Sequence, residues 1–156
     1  MHYQRNSQQR YGDSSSPDEK KLLNCYLINA RSLKNKLSDL HNFLYSTRAD
    51  CVCITESWLS NEITDGLLDP NGEYSIFRKD RVGVSGGGGV CAMVRKTLGA
   101  KQIDILSDDS PTELLCFDVF STSTPYRFLW YIDHLTLHVC MIMLRAMITC
   151  SMLLNV

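Results

Sequence analysis

The stretch CVCITESWL, residues 51–59, decides the fold. Its first five residues form a short apolar run that is bounded by Asp50 and by a polar segment, a pattern typical of a buried β-strand. Glu56 follows this run directly. A carboxylate therefore lies where a strand of the core ends, and the neighbouring elements must explain its position.

A second apolar run, LLNCYLINA at residues 22–30, predicts another buried strand upstream. Between the two strands, leucines recur at steps of three and four, which predicts an amphipathic helix, and Ser32 is placed to cap it. The order strand, helix, strand within so short a segment is typical of a βαβ unit with parallel strands. The leucines are Leu33, Leu37, Leu40 and Leu44.

Two polar residues are predicted to meet at one edge of this sheet. Asn29 lies near the end of the first strand and Glu56 at the end of the second. The carboxyl ends of parallel strands share an edge, and open α/β sheets bind ligands there. One carboxylate beside an amide suits Mg²⁺, which keeps several waters for phosphate substrates, and does not suit zinc. The residues alone leave open whether Glu56 is a metal ligand, a solvated carboxylate just past the strand end, or a cap on the following loop.

The rest of the chain predicts further strands in antiparallel pairs. A turn-rich surface loop at 60–73 precedes a β-hairpin whose strands flank a glycine run at 83–89. The run lacks the Lys-Ser/Thr of a phosphate-binding P-loop, so the glycines are predicted to permit close backbone approach and positive φ. Consecutive antiparallel strands after a βαβ unit predict a mixed sheet in a layered α/β domain. The strands are predicted at 74–78, 90–95, 113–120 and 126–131.

Composition separates the two ends of the chain from its centre. Residues 1–21 are almost wholly polar and predict a disordered lead-in, whereas 132–156 form an apolar tail. Arg145 near the centre of that tail makes a membrane span unfavourable. The seven cysteines are dispersed without a CxxC motif, and the N-terminus has no apolar signal region, so the prediction is an intracellular protein of nucleus or cytoplasm. The net charge of −1 indicates no general nucleic-acid or membrane affinity.

Several motifs, in order and spacing, resemble one enzyme superfamily. LINARSLKNKLSDL ends its strand in asparagine, ADCVCITESWL contains a strand followed by Glu-Ser-Trp-Leu, and YSIFRKDRVGVSGGGGVCAMVRK places Arg-x-Asp-Arg before the glycine run. ELLCFDVF and YRFLWY complete the set. Residues 22–131 thus resemble the endonuclease/exonuclease/phosphatase superfamily, in the version found in non-LTR (LINE-type) retrotransposon polyproteins.

This resemblance implies a four-layer α/β sandwich and Mg²⁺-dependent phosphodiester hydrolysis, with nicking of DNA as the reaction. Carried over by motif, Glu56 corresponds to the metal-ligand glutamate and Asn29 to the asparagine near the metal and the scissile phosphate. Tyr131 corresponds to a tyrosine beside the phosphate. These three are the predicted catalytic residues, with Glu56 and Asn29 as the Mg²⁺ ligands. Residues 78–81 match a stretch with a structural or backbone-contacting role.

The chain departs from the family after Tyr131, where Ile132, Asp133 and His134 follow instead of Arg-Pro-Pro. The later D-x-N motif that orients the attacking water is missing, and so is the S-D-H motif with the catalytic histidine. The expectation is therefore a partial sandwich, residues 22–131, that lacks the second sheet and the residues that act on water. It predicts a truncated endonuclease with little or no activity alone; the alternative is a non-enzymatic DNA-binding or assembly fragment.

Overall fold

Two β-sheets and two α-helices form the described part of the chain in a computed structural model of the protein. The structure describes residues 23–81, 87–104, 112–120, 126–132, 139–144 and 149–153, so the predicted lead-in at 1–21 lies outside it. The elements in chain order are β1 (Asn24–Asn29), α1 (Leu37–Thr47), β2 (Cys51–Thr55), α2 (Asp65–Leu68), β3 (Tyr74–Lys79), β4 (Val90–Arg95), β5 (Ala100–Gln102), β6 (Leu114–Val119), β7 (Tyr126–Ile132), β8 (Val139–Leu144) and β9 (Thr149–Leu153).

The predicted βαβ unit is confirmed. Strands β1 and β2 are parallel, and their register ends with Asn29 opposite Thr55. The pairing continues one step further, since the Ala30 N–H donates to the Thr55 carbonyl at 3.0 Å. All five residues of β2 are buried, which explains why CVCIT shows no alternation of apolar and polar residues.

The expectation that Ser32 caps the helix is wrong. Helix α1 begins at Leu37, and the position before it is occupied by Lys36. The cause is a backbone link to the residues after β2: the Ser32 N–H donates to the Glu56 carbonyl at 2.8 Å. Ser32 has a positive φ of 86°, so the chain turns here before a helix can start. The predicted leucine stripe still faces the core, with Leu33, Leu40 and Leu44 buried.

The segment 60–73 is more ordered than a surface loop. It contains the short helix α2, and it buries Ile63 and Leu68. The Arg78 guanidinium stabilises this segment by donating to the Ile63 carbonyl at 2.7 Å and to the Ser60 carbonyl at 3.1 Å. Arg78 thus has a structural role here, which is one of the two roles that the resemblance implied for residues 78–81.

The first sheet has the strand order β3-β4-β2-β1-β9 and is mixed. Strand β4 runs antiparallel to both β2 and β3, as the predicted hairpin requires, while β1 is parallel to β2 and to β9. The prediction of an α/β fold with a mixed sheet is confirmed. One face of this sheet packs under α1 through a cluster that includes Leu40, Leu44, Val52, Ile54 and Met93.

The expectation that the chain lacks a second sheet is wrong. A four-stranded sheet of order β5-β6-β7-β8 covers the other face of the first. Alternate residues of β4 and β6 form a shared core between the sheets, and the rings of Phe77 and Phe117 stack there with centroids 5.4 Å apart. The core residues from these two strands are Val90, Ala92, Val94, Leu115, Phe117 and Val119. Burial of both apolar faces of the first sheet is the main stabilising contribution to such a layered domain.

Parts of the predicted tail at 132–156 join these sheets. Strand β8 pairs antiparallel with β7, and β9 pairs parallel with β1. No helix in the described ranges is long and apolar enough to cross a membrane. The domain boundary at residue 131 stays a prediction.

Candidate active site

The two residues predicted to share an edge of the sheet end neighbouring strands. Asn29 is the last residue of β1 and lies opposite Thr55, the residue before Glu56. Both Asn29 and Glu56 are partly buried. The Oδ1 atom of Asn29 accepts from the Arg31 N–H at 3.3 Å. The parallel register, rather than nearness in sequence, brings this amide and this carboxylate to one rim.

The Glu56 carboxylate is held by two nitrogen donors on one oxygen. Its Oε2 atom accepts from the indole Nε1–H of Trp58 and from the backbone N–H of Gly88, each at 2.8 Å. Glu56 and Trp58 both have a φ of 51°, in the left-handed region that costs free energy for residues with a Cβ. Backbone strain of this kind is concentrated at functional sites, where the surrounding structure compensates for it.

The glycine run supplies that compensation. Gly87, Gly88 and Gly89 all have φ between 83° and 91°. The Trp58 N–H donates to the Gly88 carbonyl at 2.9 Å, and the Ser57 N–H to the Gly89 carbonyl at 3.1 Å. A Cβ at Gly89 would come within 2.7 Å of Ser57 Oγ. The predicted positive φ is confirmed at all three glycines, and the predicted close approach is confirmed at Gly88 and Gly89.

Sequence reasoning missed that the glycine run also contacts a second carboxylate. Glu113 precedes β6 and is buried; its Oε2 accepts from the Gly89 N–H at 2.7 Å and its Oε1 from Nε of Arg81. The available signal was the same one that marked Glu56, a carboxylate directly beside an apolar strand. It was not sufficient, because only the packing of the two sheets brings Glu113 to the glycines.

The chain matches a known protein family over most of its length. Residues 22–144 match the Endonuclease/Exonuclease/phosphatase family. The chain belongs to the endonuclease/exonuclease/phosphatase family. A comparison with curated proteins found no match.

The solved structures that this chain is similar to are much longer than it is. AP endonuclease LMAP from Leishmania major has a TM-score of 0.51 at 15% identity, over 67% of this chain and 38% of that one. An AP endonuclease from Archaeoglobus fulgidus has a TM-score of 0.47 at 16% identity, over 61% and 36%. D. rerio TDP2 in complex with a single-strand DNA product has a TM-score of 0.47 at 17% sequence identity, over 66% of this chain and 42% of that one. The chain thus spans less than half the length of these proteins, and the likeness to LMAP shows the fold.

Members of the endonuclease/exonuclease/phosphatase family generally depend on a metal. Within the described ranges, no three His, Cys, Asp or Glu side chains cluster closely enough to hold an ion among themselves. Mg²⁺ does not require such a cluster, because it commonly uses one or two carboxylates and completes its shell with water and phosphate oxygens. The hard oxygen donors of Glu56 and Asn29 at one rim fit that chemistry.

The third predicted site residue, Tyr131, lies on β7 opposite Leu114, the neighbour of Glu113. Its side chain lies outside the described part of the structure, so its role beside a phosphate stays a prediction. The Asp133-His134 pair also lies outside the described residues. His41 lies on α1, and its Nε2 atom is 2.9 Å from the Leu67 carbonyl oxygen.

The described cysteines belong to the core and not to the site. Cys25, Cys51, Cys53, Cys91 and Cys116 are free and buried. Sγ of Cys51 lies 3.9 Å from Sγ of Cys53. Burial raises the pKa of Cys91 to about 12. A protonated, buried thiol is a poor nucleophile and metal ligand, so these five cysteines are not candidates for the site.

Proposed function

We propose that this protein is a metal-dependent phosphodiesterase domain that acts on DNA and derives from a LINE-type retrotransposon. The observation that carries the proposal is the Glu56 carboxylate, held by Trp58 and Gly88 at the edge of the sheet beside Asn29. Endonucleases, exonucleases and phosphatases all cleave phosphate esters, which is the chemistry the family name describes. The motif pattern from residue 22 to residue 131 supports the retrotransposon origin.

In this proposal Glu56 and Asn29 would hold Mg²⁺. The ion supplies Lewis-acid polarisation of a phosphate oxygen. The indole N–H of Trp58 and the backbone N–H of Gly88 orient the carboxylate by donating to its Oε2 atom. Tyr131 would contact the phosphate from the second sheet.

The same proposal assigns this chain a low hydrolytic rate. Neither a D-x-N motif after Tyr131 nor an S-D-H motif occurs in the sequence. Those motifs would orient and deprotonate the attacking water. Loss of the base from a hydrolytic site lowers the rate by orders of magnitude. Cation binding and phosphate positioning are retained without them.

The experiment combines cation binding with plasmid nicking. Binding is measured with Mn²⁺, a paramagnetic substitute for Mg²⁺, and nicking with supercoiled plasmid in the presence of Mg²⁺. We expect wild-type protein and the control Glu62→Ala, an exposed glutamate, to bind Mn²⁺ equally. Glu56→Ala is expected to lose that binding, and nicking is expected to be very slow in all three proteins.

Two results would contradict the proposal, each in a different part. Wild-type protein that binds Mn²⁺ no better than Glu56→Ala overturns the cation site. Rapid nicking by wild-type protein that Glu56→Ala abolishes overturns the low rate and leaves the site intact.

A further inference from the structure

Glu113 is a buried carboxylate that the proposed chemistry does not use. Only 3% of its side chain is exposed. A carboxylate removed from water must have its charge and lone pairs satisfied by neighbouring donors. Arg81 and the Gly89 N–H fill that requirement, with the Gly89 nitrogen 2.7 Å from Oε2. The same contacts constrain the positions of Arg81 and Gly89.

Gly88 is held between this ion pair and the candidate site. A Cβ at Gly88 would overlap the guanidinium of Arg81, so the arginine packs directly on the glycine backbone. On its other side Gly88 donates its N–H to Oε2 of Glu56 at 2.8 Å. A continuous series of contacts therefore joins Glu113, before a strand of the second sheet, to Glu56, after a strand of the first.

We propose that Glu113 and Arg81 are positioning residues for Glu56. By holding Gly88 and Gly89 they keep the Gly88 N–H where it orients the Glu56 carboxylate toward a bound cation. The inference rests on the proposed function, because it assigns the pair a role in that cation site. Stability alone does not require an ion pair here, since apolar residues of similar volume are often as stable in buried positions. The planar guanidinium supplies directional hydrogen bonds that an apolar contact lacks.

The first test needs neither a metal nor activity. The indole N–H of Trp58 shares Oε2 of Glu56 with Gly88, so its NMR resonance reports the carboxylate position. The resonance is assigned by its loss in Trp58→Phe. We expect Glu113→Gln to shift it toward its position in Glu56→Gln. The matched control Asp118→Asn, a carboxylate-to-amide change on β6 that breaks the pair with Arg127, is expected to leave it unchanged.

The second test measures cation affinity of the same proteins with Mn²⁺. Loss of groups that orient a metal ligand commonly lowers metal affinity by about 10–100-fold, and for Glu113→Gln we expect about tenfold. Asp118→Asn is expected to bind as wild type does. If Glu113→Gln does not fold, Arg81→Lys carries both measurements, because it keeps the positive charge and removes the planar fork.

The outcomes separate the two proposals. A folded Glu113→Gln or Arg81→Lys protein with an unchanged Trp58 resonance overturns the positioning role. A shifted resonance in a protein whose wild type binds no Mn²⁺ supports the link between Glu113 and Glu56 and overturns the cation site. A shifted resonance with unchanged Mn²⁺ affinity shows that the contacts act on the carboxylate without serving the cation, and it also overturns the inference.

Discussion

The indole nitrogen of Trp58 lies 2.8 Å from Oε2 of Glu56 and donates a hydrogen bond to it. Both residues have left-handed backbone conformations, and Trp58 remains 38% exposed. Trp58 belongs to neither of the two clusters of buried apolar residues that form the described core. Its contribution is to the orientation of the glutamate.

Trp58→Phe is expected to lower Mn²⁺ affinity about tenfold, because phenylalanine keeps an aromatic ring and removes the N–H that orients Glu56. The thermal midpoint is expected to change little. The measurement is a Mn²⁺ titration beside a thermal melt. Tyr45→Phe, which removes the hydroxyl group from a largely exposed ring on α1, is the control. Equal affinities in the two variants would exclude the role of the indole.

Gly88→Ala is expected to lower the free energy of unfolding by about 2–3 kcal/mol. The added methyl group must displace the guanidinium of Arg81 from Glu113, and alanine is strained at a φ of 87°. Gly66→Ala in α2 is the matched control, since a Cβ there meets no atom closer than 3.9 Å. It should change stability by no more than about 1 kcal/mol. The free energies of unfolding of both variants are measured by urea unfolding. Equal decreases in the two variants would contradict the packing described for Gly88.

Phe117→Ala is expected to lower the free energy of unfolding by about 3–5 kcal/mol, because Phe117 is fully buried between the sheets and stacks on Phe77. Tyr45→Ala, at a position with 83% exposure, should stay within about 0.5 kcal/mol of wild type. The measurement is the urea concentration at the unfolding midpoint of each variant, compared where the dependence of the free energy of unfolding on urea concentration is unchanged. A small loss for Phe117→Ala would show that the second sheet does not pack on the first as described.

The pair of Asp118 and Arg127 predicts a dependence of stability on pH. Hydrogen bonds from the Arg127 guanidinium, at 2.8 and 2.9 Å, hold the pKa of Asp118 below its ordinary value. Because the folded pKa is the lower one, the pair stabilises the protein above the unfolded pKa of about 3.9. That stabilisation is lost as the pH falls through the folded pKa.

Asp118→Asn should therefore be less stable than wild type near neutral pH, with the difference disappearing in acid. The effect is expected to be small, because half of the Arg127 side chain is exposed and solvent screens the pair. Urea unfolding at several pH values measures it. Arg127→Gln removes the same pair and should give the same profile; different profiles for the two variants would show that the pair is not the cause.

Most of the first sheet follows from local pattern. The apolar run of β2, the run that contains β1 and the leucine stripe of α1 each identify an element. Burial of a strand on both faces leaves a continuous apolar run in the sequence, and burial of one helix stripe leaves a period of three and four residues. Their order then predicts the parallel pair, and with it the shared edge for Asn29 and Glu56. The start of α1 was predicted wrongly, because the Ser32 N–H donates a hydrogen bond to the Glu56 carbonyl, and the local sequence pattern does not predict that contact.

The sequence by itself determined the elements of the βαβ unit, the parallel pairing of its two strands, the antiparallel pairs β3–β4 and β6–β7, and the two polar residues at one edge of the first sheet. Only the tertiary structure decided which groups surround Glu56. Gly88 and Glu113 are distant from it in sequence, and their contacts depend on the path of the glycine run and on the packing of one sheet against the other. A hydrogen bond of 2.8 Å requires positions accurate to a fraction of an ångström, whereas hydrophobic periodicity specifies only which face of an element is buried.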